Sequence, residues 1–144
     1  MNTYKIITVF IFLILFTFSN CCKKENVTKE EKVPEHKEVT VELLNPYDYA
    51  KRIGSLKVQL LDLRSQKEFN QGHIENAVNI NVLESGFVKK ITTYKKDIPV
   101  YIYCTHGEER SEKAAKIFKE KGYVVTILEG GLDEWIKIGN GVIK

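Results

Sequence analysis

One stretch of the chain decides the fold: VYIYCTHGEERSEKAAKIFKEKG, residues 100–122. Its first five residues are apolar and rich in β-formers, so they predict a short buried strand that ends at Cys104. Residues 111–121 place their apolar side chains on one stripe, which predicts a helix that ends at Gly122. The linking residues CTHGEER (104–110) therefore put a cysteine at the carboxyl end of a strand, just before a helix N-terminus.

Similar short elements occur on both sides of this unit. Strand-like apolar runs cover residues 39–43, 58–63, 77–82 and 124–128, and helix-like patterns cover 45–54, 84–95 and the segment from Leu132. Strands that alternate with helices predict a mainly parallel sheet flanked by helices. We therefore expect one α/β domain over residues 39–144, since 144 residues leave no room for a second core.

The first twenty residues predict an export signal that is not part of the fold. Thirteen uncharged residues, Ile6–Phe18, follow a single lysine. At about 1.5 Å per helical residue this run spans about 20 Å, less than the roughly 30 Å hydrocarbon core of a bilayer. A signal-peptide core fits that length better than a spanning helix.

The next three residues, Ser19, Asn20 and Cys21, resemble a bacterial lipobox. This resemblance implies removal of residues 1–20 and lipidation of Cys21, although Phe18 and Asn20 depart from the usual residues of the motif. A retained membrane anchor and ordinary secretory cleavage are the alternatives. All three hypotheses predict a domain outside the cytoplasm, and a lipoprotein in the cell envelope would face the periplasm or the exterior.

Residues 21–38 are expected to form a charged flexible tether between the lipid anchor and the domain. Five lysines and five glutamates occur between Cys22 and Glu38, with almost no apolar side chains to bury. The formal net charge of the whole chain is only +3, so we expect no nucleic-acid partner. The three cysteines and three histidines follow no disulfide or metal-ligand spacing, so we expect a monomer without metal or cofactor.

The loop after Cys104 carries the features of a reactive site. Backbone N–H groups of a tight loop at Gly107 and the following helix N-terminus favour a thiolate over a thiol. Arg110 adds a permanent cation whose planar donors suit an oxyanion. The pattern predicts a nucleophilic sulfur that attacks an anionic substrate, and the alternative is a buried structural thiol.

Four separated motifs resemble a rhodanese domain, the sulfurtransferase fold: LLDLR (60–64), EFNQGHIENAVNI (68–80), YCTHGEERS (103–111) and EGGLDEW (129–135). The resemblance implies that Cys104 accepts the outer sulfur of thiosulfate or a persulfide and passes it to a thiol or cyanide. It also implies that Arg110 orients the loop and the substrate. Further site residues implied by the family are the substrate-binding loop Thr105, His106, Gly107, Glu108 and Glu109, and the supporting pair Asp62 and Arg64.

The loop departs from the usual rhodanese pattern by its length. Five residues separate Cys104 from Arg110, where single-domain rhodaneses have four, and a five-residue gap resembles the cell-cycle phosphatases and arsenate reductases of this fold. Tyr103 stands where those phosphatases have histidine, which favours sulfur transfer. A catalytically weak binding or sulfur-carrier module is a further alternative. Glu108 and Glu109 either face solvent or select persulfides over more highly charged donors.

Overall fold

The computed structural model of the chain describes residues 39–144. The predicted signal segment, the lipidation site Cys21 and the tether lie outside these residues. Within the described part, no helix combines the length and the apolar character needed to cross a membrane. The elements are β1 Val41–Leu44, α1 Pro46–Ser55, β2 Gln59–Asp62, α2 Gln66–Gln71, β3 Val78–Asn79, α3 Phe87–Ile91, β4 Val100–Tyr103, α4 Glu109–Glu120, β5 Val125–Leu128 and α5 Gly131–Lys137.

The five strands form one parallel sheet in the order β1-β5-β4-β2-β3. The α/β class with a mainly parallel sheet flanked by helices, predicted from the sequence, is confirmed. Because every strand runs the same way, all strands end at one edge of the sheet, the carboxyl edge, and begin at the other, the amino edge. The central strand β4 delivers Cys104 to the carboxyl edge, where open α/β sheets place their ligands.

Apolar side chains cover both faces of the sheet, as expected for parallel strands. On one face Phe118 of α4 packs with Ile102 and Leu61, and its ring meets that of Tyr123 edge to face. On the other face Trp135 of α5 packs with Tyr49 and Tyr101, among others. These two layers hold β4 rigidly, so the end of this strand is a fixed point for a site.

The boundaries of several elements differ from the sequence expectation, and α3 spans only Phe87–Ile91 of the predicted 84–95. Helix α4 begins at Glu109, two residues earlier than predicted. Within the predicted strand over residues 77–82, β3 covers only Val78 and Asn79, although the backbone N–H groups of Ile80 and Val82 still donate to the carbonyl oxygens of Asp62 (2.8 Å) and Leu63 (3.2 Å). Helix α2 was not predicted, although Ser65 and Glu68 form the capping box that begins it.

Candidate active site

Cys104 lies immediately after β4 and is buried, with 3% of its surface exposed. Its neighbours in the core include Ala114 and Ala115 of α4, the helix that starts beyond the loop. It is a free cysteine. The strand and the packed core therefore fix the position of the sulfur.

The peptide groups of the loop are turned so that their donors remain unused. The carbonyl oxygens of Cys104 and Thr105 accept hydrogen bonds from the backbone N–H groups of Leu132 (2.9 Å) and Asp133 (3.0 Å) at the start of α5. In a trans peptide the N–H group points away from the carbonyl oxygen, so the next two N–H groups face away from α5. From Thr105 to Arg110, no backbone N–H group donates to another residue of the described domain. Such a run of free donors before a helix N-terminus is an anion-binding feature.

Two glycines allow the loop and the turn before α5 to approach this closely. Gly107 and Gly131 have positive φ angles of +77° and +60°. A Cβ on Gly131 would lie 2.5 Å from the carbonyl oxygens of Cys104 and Thr105. A Cβ on Gly107 would lie 2.7 Å from the carbonyl oxygen of Leu128. Since these contacts are with backbone atoms, no side chain fits at either position. The turn Glu129–Gly131, which we call the EGG turn, therefore packs directly against the loop and forms one wall of the site.

Arg110, the last residue of the loop, is held in place by a carboxylate from another part of the chain. Its Nη1 and Nη2 atoms lie 3.2 Å from the carboxylate oxygens of Glu68, and Nη2 also donates to Oγ1 of Thr105. The Thr105 hydroxyl in turn donates to Glu68 at 3.2 Å. The side chains of Arg110 and Glu68 remain 25% and 34% exposed, so an anionic substrate can reach this guanidinium.

Glu68 is a site residue that the sequence analysis missed. Partial burial alone would raise the pKa of Glu68, but hydrogen bonds from Ser65 and Arg110 outweigh that effect and lower the pKa to about 2. The carboxylate is thus charged at all physiological pH values. The local signal was the S-x-x-E pattern at residues 65–68, which predicts a helix start but does not reveal the partner Arg110, 42 residues away.

The other charged or titratable side chains of the loop are exposed to solvent. Nδ1 of His106 lies 2.8 Å from a carboxylate oxygen of Asp133, and both side chains are more than half exposed. Glu108 and Glu109 are exposed, and Glu108 makes no side-chain cap on α4. The solvent-exposed side of the loop therefore carries several carboxylates, together with a histidine whose Nδ1 atom contacts one of them.

Asp62 and Arg64 form a buried pair at the end of β2. The guanidinium donates to both carboxylate oxygens of Asp62 at 2.7–3.0 Å and to the carbonyl oxygen of Gly72 at 2.7 Å. Their side chains are 0% and 7% exposed. This pair ties the end of β2 to the segment after α2, and its supporting role for the site stays a prediction.

Ser111 is a second residue that sequence reasoning overlooked. Its side chain lies in the first turn of α4 and is fully buried, and its hydroxyl has no hydrogen-bond partner within the described domain. The hydroxyl is thus a free donor behind the loop. Residues 39–144 contain no cluster of histidine, cysteine and carboxylate side chains able to hold a metal ion.

These features define a class of protein: a parallel α/β domain with a cysteine in an anion-binding loop at the carboxyl edge of its sheet. The chain belongs to the rhodanese-like family, since the model of the Rhodanese-like domain matches residues 45–138. Over 112 residues it is 35% identical to the tRNA uridine(34) hydroxylase of Aster yellows witches'-broom phytoplasma, covering 74% of this chain but 36% of the hydroxylase.

Two further relatives are closer to this chain in length. The thiosulfate sulfurtransferase GlpE of Shewanella oneidensis is 35% identical over 79 residues, which cover 54% of this chain and 75% of GlpE. The crystal structure of a rhodanese-related protein from Thermoplasma volcanium superimposes with a TM-score of 0.64 at 28% identity, over 71% of this chain and 97% of that one. Membership of the rhodanese-like family is thus established. The tRNA hydroxylase and thiosulfate sulfurtransferase activities are those of the relatives.

Proposed function

We propose that the chain is a sulfurtransferase that carries a sulfane sulfur as a persulfide on Cys104. The observation that carries this proposal is the run of free backbone N–H donors from Thr105 to Arg110, next to a buried thiol. These donors can stabilise both a thiolate and the terminal sulfur of a persulfide. The similarity to a thiosulfate sulfurtransferase supports the same chemistry.

The proposed reaction has two balanced displacements. The Cys104 thiolate attacks the outer sulfur of thiosulfate, the sulfur–sulfur bond of the donor breaks, and sulfite leaves with the bonding electron pair. An acceptor thiolate or cyanide then attacks the outer sulfur of the persulfide and restores the Cys104 thiolate. Arg110 contributes by neutralising the sulfonate of the donor, since its guanidinium is partly exposed. No net oxidant or reductant is required.

The purified full chain tests this proposal directly. We expect thiocyanate release from thiosulfate and cyanide, and a one-sulfur mass increase on Cys104 when thiosulfate is added without an acceptor. Cys104→Ser should abolish both, because the hydroxyl is a far weaker nucleophile. A wild-type chain that forms no sulfur adduct with thiosulfate or any persulfide donor would refute the proposal and favour a binding module.

The five-residue gap supports phosphatase or arsenate-reductase chemistry as a second candidate. A longer loop can surround a tetrahedral anion more widely, and the same free N–H groups would bind its oxygens. This candidate predicts hydrolysis of a small aryl phosphate that is lost in Cys104→Ser. Hydrolysis of the aryl phosphate faster than sulfur transfer would favour phosphatase chemistry over the proposed sulfurtransferase.

Loop length can be tested at the position where the structure tolerates a change. Gly107 is fixed against the EGG turn, whereas Glu108 is exposed and bonds to no other side chain. Deleting Glu108 gives the four-residue spacing and removes one negative charge, so we expect better use of thiosulfate relative to persulfides. The matched control Glu108→Gln removes the charge alone and separates the two effects.

We further propose that the protein is an exported lipoprotein anchored through Cys21. The support is the apolar run and the lipobox-like sequence before this residue. Labelling of cells with a fatty-acid probe should mark the wild type and Cys22→Ala but not Cys21→Ala. A label that persists in Cys21→Ala would remove the assignment.

A further inference from the structure

The two edges of the sheet carry opposite charge. At the carboxyl edge, exposed carboxylates outnumber the exposed lysine Lys67 of α2 and surround the loop of Cys104: Glu108, Glu109, Glu112, Glu129 and Asp133. At the amino edge lies a surface that we call the basic edge, formed by the exposed lysines Lys57, Lys95, Lys96, Lys119 and Lys121. The exposed carboxylates near it are fewer, namely Glu75, Asp97 and Glu120. The domain is therefore electrically polarised along the strands.

Helix dipoles explain only part of this polarity. Acidic residues in first turns and basic residues in last turns are favoured in any helix, which accounts for Glu109 and Lys119 of α4. Lys57, Lys95 and Lys96 instead lie in the loops that lead into β2 and β4. Their position thus requires a reason other than helix stability.

The loops of the basic edge are fixed in place. The Gln59 amide donates to the carbonyl oxygen of Lys95 and accepts from the Lys95 backbone N–H, each at 2.8 Å. The Tyr123 hydroxyl donates to the carbonyl oxygen of Ile91 at 2.7 Å, and the ammonium of Lys96 lies 5.7 Å from the centre of the Tyr123 ring. The lysines are thus presented on preformed loops, which lowers the entropy lost when they bind a partner.

Apolar side chains lie beside these lysines. Leu56, next to Lys57 in the chain, is 52% exposed. It borders a cleft of about 590 Å³ whose outer wall includes Val142 and Ile143, which are also exposed. Lysines next to exposed aliphatic side chains are the combination found where proteins contact the headgroup region of a bilayer.

The chain also enters the domain at this edge. Val39 and Thr40 precede β1, and the carbonyl oxygen of Thr40 accepts from the backbone N–H of Val125 (3.0 Å) at the start of β5. The segment that the sequence predicts to carry the lipid therefore joins the domain on the side of the basic edge. The tether predicted over residues 21–38 is polar and charged, and such a segment would supply reach without fixing the orientation of the domain.

From these observations we propose that the basic edge docks on a bilayer surface with anionic headgroups and turns the Cys104 loop away from the membrane. Each lysine near such a surface is attracted to it, while the carboxylates around the loop are repelled. The proposed lipid anchor keeps the domain near the membrane, and the unequal charge of the two sheet edges determines which edge faces it. This inference rests on the proposed lipid anchor at Cys21 but not on sulfur transfer, since it involves no residue of the active site.

Hydrogen exchange of the full chain in vesicles tests the orientation. One preparation contains phosphatidylcholine alone, and the other contains phosphatidylcholine with phosphatidylglycerol. We expect slower exchange in the loops at residues 55–58 and 94–98 only in the anionic vesicles, with no change in the Cys104 loop. The variant Lys57→Gln, Lys95→Gln, Lys121→Gln should weaken docking about a hundredfold and lose this protection.

A second triple variant, Lys67→Gln, Lys113→Gln, Lys116→Gln, removes the same charge from exposed positions away from the basic edge. It should keep the protection. Equal exchange in both kinds of vesicle, equal loss in the two triple variants, or protection of the Cys104 loop would each overturn the proposal. Protection by soluble heparin to the same extent as by vesicles would also overturn it, because the partner would then be a polyanion in general.

Discussion

Two arginine–carboxylate pairs in this domain have the same chemistry and opposite exposure. Asp62 and Arg64 are almost completely buried, and the guanidinium also donates to the Gly72 carbonyl oxygen. Glu68 and Arg110 are about one-third and one-quarter exposed, with longer contacts of 3.2 Å. The buried pair has its donors committed to the fold, whereas the exposed pair can exchange partners with an incoming anion. Burial thus distinguishes an arginine whose donors are committed to the fold from one whose guanidinium remains accessible to the anionic donor of the proposed reaction.

The largest effect is expected from breaking the buried pair. Asp62→Ala leaves the Arg64 guanidinium buried without its counter-charge, so the free energy of unfolding should fall by about 3–5 kcal/mol. Urea unfolding followed by circular dichroism measures this. The double variant Asp62→Leu, Arg64→Met should recover much of the loss, because it removes both charges. A double variant no more stable than Asp62→Ala would contradict this account.

Breaking the exposed pair should change activity much more than stability. Arg110→Ala removes the cation that faces the substrate, so kcat/KM for thiosulfate should fall about a hundredfold or more. The free energy of unfolding should change by less than about 1 kcal/mol, because the pair is partly solvated. Arg110→Lys keeps the charge without the planar donors and should give an intermediate rate. A large loss of stability would show that Arg110 is structural like Arg64.

The pH dependence of the free energy of unfolding gives a further test of the exposed pair, through the carboxylate of Glu68. Its pKa in the folded protein is about 2, below the ordinary value of 4.5, so its hydrogen bonds with Ser65 and its ion pair with Arg110 together stabilise the fold fully above pH 4.5. This contribution is lost as the pH falls from 4.5 through 2. After allowance for solvent screening we expect about 1–2 kcal/mol. Glu68→Gln should lower stability at pH 7 by that amount and flatten its dependence on pH in this window.

The smallest effect is expected at Ser111. Its buried hydroxyl has no partner in the described domain, so Ser111→Ala should leave stability unchanged within about 0.5 kcal/mol or raise it slightly. If the hydroxyl donates to the persulfide, sulfur transfer should fall about fivefold, the equivalent of one hydrogen bond. Stopped-flow rates of persulfide formation separate the two readouts. A marked loss of stability would mean that the hydroxyl is bonded after all.

The strand–loop–helix unit could be predicted from sequence because its determinants are local. The apolar run, Gly107, Arg110 and the helical stripe lie within 23 residues, and period and turn chemistry are properties of short windows. The remaining elements were predicted from their own short apolar patterns, and the family resemblance, now confirmed, implied the same α/β class. Helix α2 was missed because its six residues are too few to show a hydrophobic period.

The partners of the loop could not be predicted because they come from distant segments. Glu68 reaches Arg110, and Asp133 reaches His106, only after β2, β4 and β5 have been placed side by side. The contact of Gly107 with the EGG turn likewise depends on the parallel pairing of β4 and β5. A sequence pattern indicates which residue types are present, whereas these pairings follow from strand order.

The close contact between the Cys104 loop and the EGG turn has a consequence for biosynthesis. The carbonyl oxygens that orient the loop are held by Leu132 and Asp133, which follow Cys104 in the chain. Until these two residues have been synthesised, the loop after Cys104 lacks the contacts that turn its amide donors. It acquires them when α5 packs against the loop, so the set of free donors beside Cys104 forms only after α5 has been made.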